Sequence, residues 1–208
     1  EFFASADVSL DLNEVGGFLT IVGDVGLTIG GGAQTISGTN ILIFVGAGSA
    51  TMADGVTPNP AASGLFITDA TIDGVRNADG TFAVRATGNL SITGVAGISV
   101  SGADPVTVSF NNTGAAVTIG TVTVAEGGTV TSPGVINVTV AGQVLSGTFT
   151  FERTTTASGA AAVEMSVTGL TATITGAAGT VALTGTGSGA ALLSTDGSAG
   201  SFEGTVVV

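Results

Sequence analysis

The chain has 208 residues, with 35 Gly, no Cys or His, fifteen carboxylates and only Arg76, Arg85 and Arg153 as basic residues, for a formal net charge of −12. That charge repels nucleic-acid phosphates and anionic membrane surfaces, which excludes nucleic-acid binding. No run of about 18 apolar residues is present to form a membrane-spanning helix, and without His, Cys or Lys the usual nucleophile-base pairs cannot be assembled, so the chain reads as a non-enzyme.

Taken in chain order, the first feature is an acidic patch of Asp7, Asp11, Asn13 and Glu14. Hard oxygen ligands are all this composition supplies, so calcium is the one cofactor worth placing there. The spacing fits neither an EF-hand loop nor the glycine-aspartate repeat of calcium β-rolls. The competing reading is an exposed acidic edge that discourages strand-to-strand aggregation. Gly30-Gly31-Gly32 lacks the following helix and Lys of a phosphate cradle and reads as a tight β connection.

Apolar residues then alternate at Ile41, Ile43 and Val45, the period of a half-buried strand. The proline-bearing stretch 53–60 reads as a surface loop. Asp69 and Asp73 are the closest approach to a paired-carboxylate site, but solvated turn acids beside Arg76 are the simpler account, because sugar sites also use aromatic platforms. In the stretch 75–82, Asn77-Ala78-Asp79 suits a type I turn, with Gly80 left-handed to close a bulged hairpin. Further alternating runs follow at Phe82, Val84 and Ala86; Val106, Val108 and Phe110; Ile136, Val138 and Val140; Phe149 and Phe151; and Val163, Met165 and Val167.

Thr and Ser fill the alternate positions, the outer face that sheets favour. Thr-x-Thr occurs at Thr121 and Thr123 and at Thr171 and Thr173, without the regularity along the chain that an ice-binding face requires. Sequons at Asn89, Asn111 and Asn137 are what chance produces in so Thr-rich a chain. The stretch Gly204 to Val208 reads as a strand open to pairing with a further module.

An internal repeat organises these pieces. Gly32-Ala33-Gln34-Thr35-Ile36-Ser37-Gly38-Thr39 returns as Ala141-Gly142-Gln143-Val144-Leu145-Ser146-Gly147-Thr148 at an offset of 109 residues. Upstream, Gly16-Gly17 matches Gly127-Gly128; downstream, the phrase 79–84 matches 178–183 at an offset of 99. The expected organisation is a first repeat unit with an N-terminal extension over 1–125 and a second over 126–208, sharing a continuous sheet. The expected fold is all-β, an antiparallel meander or sandwich of about fifteen short strands built from two diverged repeats, with a β-solenoid as the alternative.

The phrase from Val140 to Glu152 and the strand from Phe110 to Val117 resemble the tandem Gly/Thr/Val-rich repeats, about a hundred residues long, of very large secreted bacterial surface proteins of the adhesin kind. The first copy departs from the phrase at Asn40 and Ile41. The resemblance implies a passive module in an extended array and carries over no catalytic residue. With charged residues at 9% and no Cys, the composition also suits an extracellular or cell-surface location. The functional expectation is a structural repeat module of a large surface or filament-forming protein, giving spacing, self-association and adhesion, without membrane insertion. The alternative is a module that binds a glycan, ice or a mineral surface, rigidified by calcium.

Overall fold

The computed structural model describes residues 2–6, 20–30, 33–94, 98–101, 105–132, 134–140, 143–155, 157, 159, 161–174, 183–194 and 197–207. Sixteen strands and no helix occur among them. The first half holds β1 (Phe2–Ala6), β2 (Thr20–Val22), β3 (Val25–Gly30), β4 (Ala33–Ala47), β5 (Ser63–Arg76), β6 (Phe82–Thr93), β7 (Ile98–Ser101), β8 (Val106–Asn111), β9 (Val117–Ile119) and β10 (Val122–Val124). The second holds β11 (Gly127–Thr131), β12 (Ile136–Val140), β13 (Gln143–Thr155), β14 (Ala161–Ile174), β15 (Leu183–Ser194) and β16 (Gly197–Val207).

Fourteen strands form one sheet, with the path β1-β3-β4-β5-β6-β8-β11-β13-β14-β15-β16, while β9 and β10 make a separate hairpin. Every registered pair is antiparallel. A solenoid stacks its strands in parallel, so that alternative does not apply. The strands are also longer than the apolar runs that announce them: β4 spans 15 residues, β5 and β14 span 14 each.

Long strands persist because bulges bend them instead of ending them. The first part of β4 pairs with β3, from Ala33 to Gly38, and its later part pairs with β2, from Leu42 to Phe44. In the second half β13 does the same, pairing with β12 from Gln143 to Gly147 and with β11 from Thr150 to Glu152. The change of partner falls on the repeated Ser-Gly-Thr phrase in both strands. A Cβ on Gly38 would lie 2.7 Å from the Asp24 carbonyl oxygen, and one on Gly147 would lie 2.6 Å from Val167 Cγ2. Glycine is required there because the backbone of Asp24, in the turn before β3, and the Val167 side chain of β14 respectively come too close for a side chain.

The pairings also account for the departure of the first copy from the repeated phrase. Between Gly38 and Ile41 the register shifts by one residue on β4, and Asn40 takes a left-handed φ of 56°. The extra residue restores the inward face, so that Ile41 meets the core as Phe149 does. The change of offset from 109 to 99 has a plain origin as well. Fifteen residues join β4 to β5, while five join β13 to β14.

One hydrophobic core takes residues from both halves, including Ile36, Ile43, Ile67, Val84, Val108, Val130, Ile136, Phe149, Phe151 and Met165. The sheet curls so that β14 comes against β4 and β15 against β5, enclosing that core, and its path does not close into a barrel. Phe82 stacks on Phe110 and Phe149 on Phe151, with ring centroids 5.1 and 6.2 Å apart. A second, smaller cluster lies on the opposite face of β4 and β5, where Leu42, Phe44 and Phe66 pack under Ala50 and Ala62 of the connecting loop. The two ends of the 48–62 connection therefore cover apolar side chains that an open sheet would expose to water, while residues 53–58, within the stretch read as a surface loop, are exposed.

Candidate functional surface

The outer face of the central strands is polar because each strand alternates. On β8 the residues Val106, Val108 and Phe110 are buried, while Thr107 and Ser109 face outward. Register then gathers these outward residues into rows. Thr71 lies opposite Thr87, Thr87 opposite Thr107, Thr107 opposite Thr131, Thr131 opposite Thr150, and Thr150 opposite Ser166. Six neighbouring strands thus set a hydroxyl on one line, with a repeat of about 4.8 Å.

That line is the regularity which reading along the chain does not find, because its members come from strands scattered over both halves. Neighbouring strands rotate by about 20–25°, so the hydroxyls fan out instead of forming a flat lattice. The next row reads Asp73, Arg85, Ser109, Thr129, Glu152 and Glu164 and does not repeat the pattern. The Thr line is a cohesive seam, each cross-strand pair contributing about 0.2–1 kcal/mol.

Two structures stand on this face. The loop over 48–62 is organised by Asp54 and Asn59. Val56 and Thr57 donate their N–H groups to Asp54 Oδ1 at 3.0 and 2.9 Å, and the Thr57 hydroxyl donates to Oδ2. The Asn59 amide donates to the Ser49 carbonyl, while its own carbonyl accepts from the Ala61 N–H. The Thr57 hydroxyl and then the two backbone donors hold the Asp54 carboxyl below the ordinary 3.8. At the loop's tip Met52 and Val56 are exposed. The second structure is the β9–β10 hairpin, anchored by Asn111, whose amide donates to the Ala115 and Val124 carbonyls at 2.8 and 2.9 Å.

The residues singled out from sequence fall as follows. Asp7, Asp11, Asn13 and Glu14 lie outside the described residues, and among the described ones no group of three acids converges as a metal site. Asp69 and Asp73 are not turn acids. They lie on β5 with both residues exposed, Asp69 at a bulge with φ of 52° and accepting from the Asn89 amide at 3.1 Å, Asp73 opposite Arg85. Arg76 donates to Gln34.

The hairpin at 75–82 forms as its residues require: Asn77 N–H donates to the Thr81 carbonyl, Gly80 N–H to the Asn77 carbonyl, and Gly80 has φ of 90°. The Thr81 hydroxyl and N–H hold the Asp79 carboxyl low. Gly30 lies opposite Ala33 across β3 and β4, and residues 31 and 32, where the tight connection is expected, lie outside the described residues. Among the sequons, Asn89 is exposed, Asn111 is buried with its amide and carbonyl committed, and Asn137 accepts from the Ser146 hydroxyl.

Two features escaped the sequence reading. Glu152 and Glu164 stand directly opposite each other on β13 and β14, and no local signal pairs residues from two different strands. A shallow concavity also opens on β14 to β16, lined by Glu164, Ala190, Ala191, Leu192, Gly200 and Ser201. At the sheet's end β16 pairs, among the described residues, with β15 alone. No protein-family model matches this chain, and neither a curated protein nor a solved structure is significantly similar to it.

Proposed function

We propose that this chain is a structural, non-catalytic module of a large extracellular surface or filament-forming protein, built from two copies of one five-strand unit and acting in spacing, self-association and adhesion. The observation that carries the reading is the connection pattern. Strands β2 to β6 and β11 to β15 pair in the same order, and the switch of partner occurs at the same phrase in β4 and β13. Two units joined into one sheet can accept a third by the same backbone pairing, which is how an extended array grows.

The edge at β16 suits that role. It is 11 residues long, contains no proline, and carries Glu203 as its single charge, so it lacks the charges and kinks that ordinarily protect an edge. Sedimentation over a wide concentration range tests the reading. Ordered oligomers are expected for the natural sequence, and monomers for the edge variant Ser201→Lys with Glu203→Lys, its fold checked by circular dichroism. A natural sequence that stays monomeric throughout overturns self-association.

A further inference from the structure

The seam between the two halves shows how one unit receives the next. Strand β8, the last first-half strand on the sheet path, lies antiparallel against β11, with Val108 opposite Val130 and Thr107 opposite Thr131. Strand β7 pairs with β12 in the same way, setting Val100 opposite Val138. The first half thus hands two strands to the second. Val130 and Val138 are fully buried at this seam, so backbone pairing there also closes the core.

The parts of this seam recur at the two ends of the sheet. Strand β16 holds the place of β8: it pairs with β15 as β8 pairs with β6, Val206 lying opposite Gly185 where Phe110 lies opposite Val84. At the other end β1 lies on β3 as β7 lies on β12, with Ala4 opposite Leu27. Strand β2 holds the place of β11, pairing Ile21 with Ile43 where Val130 pairs with Phe151. One contact of the seam has no copy among the described residues. Strand β11 is flanked by β8 and β13, whereas β2 pairs with β4 alone and β16 with β15 alone. The offered edge and the receiving edge therefore stand at opposite ends of one molecule.

We infer that copies of this chain join head to tail, β16 of one pairing antiparallel with β2 of a second copy as β8 pairs with β11. This rests on self-association as proposed above and adds the partner surface and its register. The β8–β11 register, carried across, sets Glu203 of one copy opposite Val22 of the other, and Thr205 opposite Thr20. A contact between two different surfaces leaves a β2 and a β16 free at the ends of every assembly, so growth is open-ended. Pairing of β16 with β16 stops at a dimer.

The chain contains no cysteine, so introduced thiols report this junction alone. Val22→Cys and Glu203→Cys are prepared as separate chains, their fold checked by circular dichroism, and oxidised singly and as an equal mixture. Salt at about 0.5 M screens the repulsion between two copies of net charge −12. Opposed residues on paired antiparallel strands lie about 4.5–5.5 Å apart between Cα atoms, within reach of a disulfide. The mixture is expected to give about tenfold more cross-linked dimer than either chain alone, because each chain by itself holds only one side of the contact. Ser201→Cys, two residues along β16, should cross-link poorly with Val22→Cys. Thr20→Cys with Thr205→Cys reads the same register should Val22→Cys disturb the cluster it packs against. Glu203→Cys cross-linking with itself as strongly as in the mixture would overturn head-to-tail joining in favour of paired β16 edges, with self-association intact. Oligomers in which neither pair cross-links would overturn this junction, and a natural sequence that sediments as a monomer at the same salt would overturn self-association itself.

Discussion

Asp69 and Gly169 sit at bulges in β5 and β14 with φ of 52° and 62°. The second half meets this backbone with glycine, the first with an aspartate whose carboxylate is fastened by Asn89. A β-branched residue has neither remedy. Asp69→Val is expected to cost about 1–3 kcal/mol and Asp69→Gly to stay close to the natural stability, read from urea midpoints. Asp54 makes a prediction about pH. Its carboxyl is held low by the Thr57 hydroxyl and then by backbone donors, so its contribution is complete above 3.8 and disappears as pH falls through the lower folded-state value. Asp54→Asn should therefore melt earlier than the natural sequence at about pH 6, and the difference should shrink as the pH is taken progressively below 3.8. In the sequence Asp54 lies in the stretch read as a surface loop, and Asp69 reads as a turn acid although it sits on β5. Their backbone angle and partners were not visible there, since these depend on what the fold places beside them.

At the level of elements, alternation marked the strands, and the Asn-Ala-Asp-Gly turn between β5 and β6 formed as its chemistry directs. Strand length was less legible. A run such as Ile41 to Val45 looks complete because a bulge breaks the period of two at Asn40, and a one-residue insertion resembles a strand end when only hydrophobicity is followed. The repeated glycines have a concrete consequence. Gly147→Val forces a branched side chain against Val167, and overpacking of this kind should destabilise by about 1–3 kcal/mol. The β13–β14 pair offers the opposite change. Replacing Glu152 by Arg converts a like-charge pair into an attractive one, with an expected gain of about 0.2–1 kcal/mol in thermal melts at low salt that fades toward about 1 M. An unchanged melt at low salt would mean that the two carboxylates do not interact.

Among the described residues, the main sheet takes strands from both halves and encloses a core that both halves line. Val84 and Val108 from the first half pack with Val130, Phe151 and Met165 from the second, so separating the halves removes one wall of the core from each. A fragment of residues 126–208 is expected to lack a cooperative urea transition, while the intact chain unfolds in a single step. A reversible sigmoidal melt from the fragment would show that the core is divisible. Composition and periodicity alone determined that the chain is all-β, that its outer faces are threonine-rich and that a phrase recurs at 109 residues, because these depend on residue type and local spacing. The Thr line, the opposed glutamates, the second apolar cluster under the 48–62 loop and the concavity on β14 to β16 were decided by tertiary structure. Each requires knowing which residue lies across from which, and a register between strands far apart in the chain is set by bulges, loop lengths and the shared core acting together.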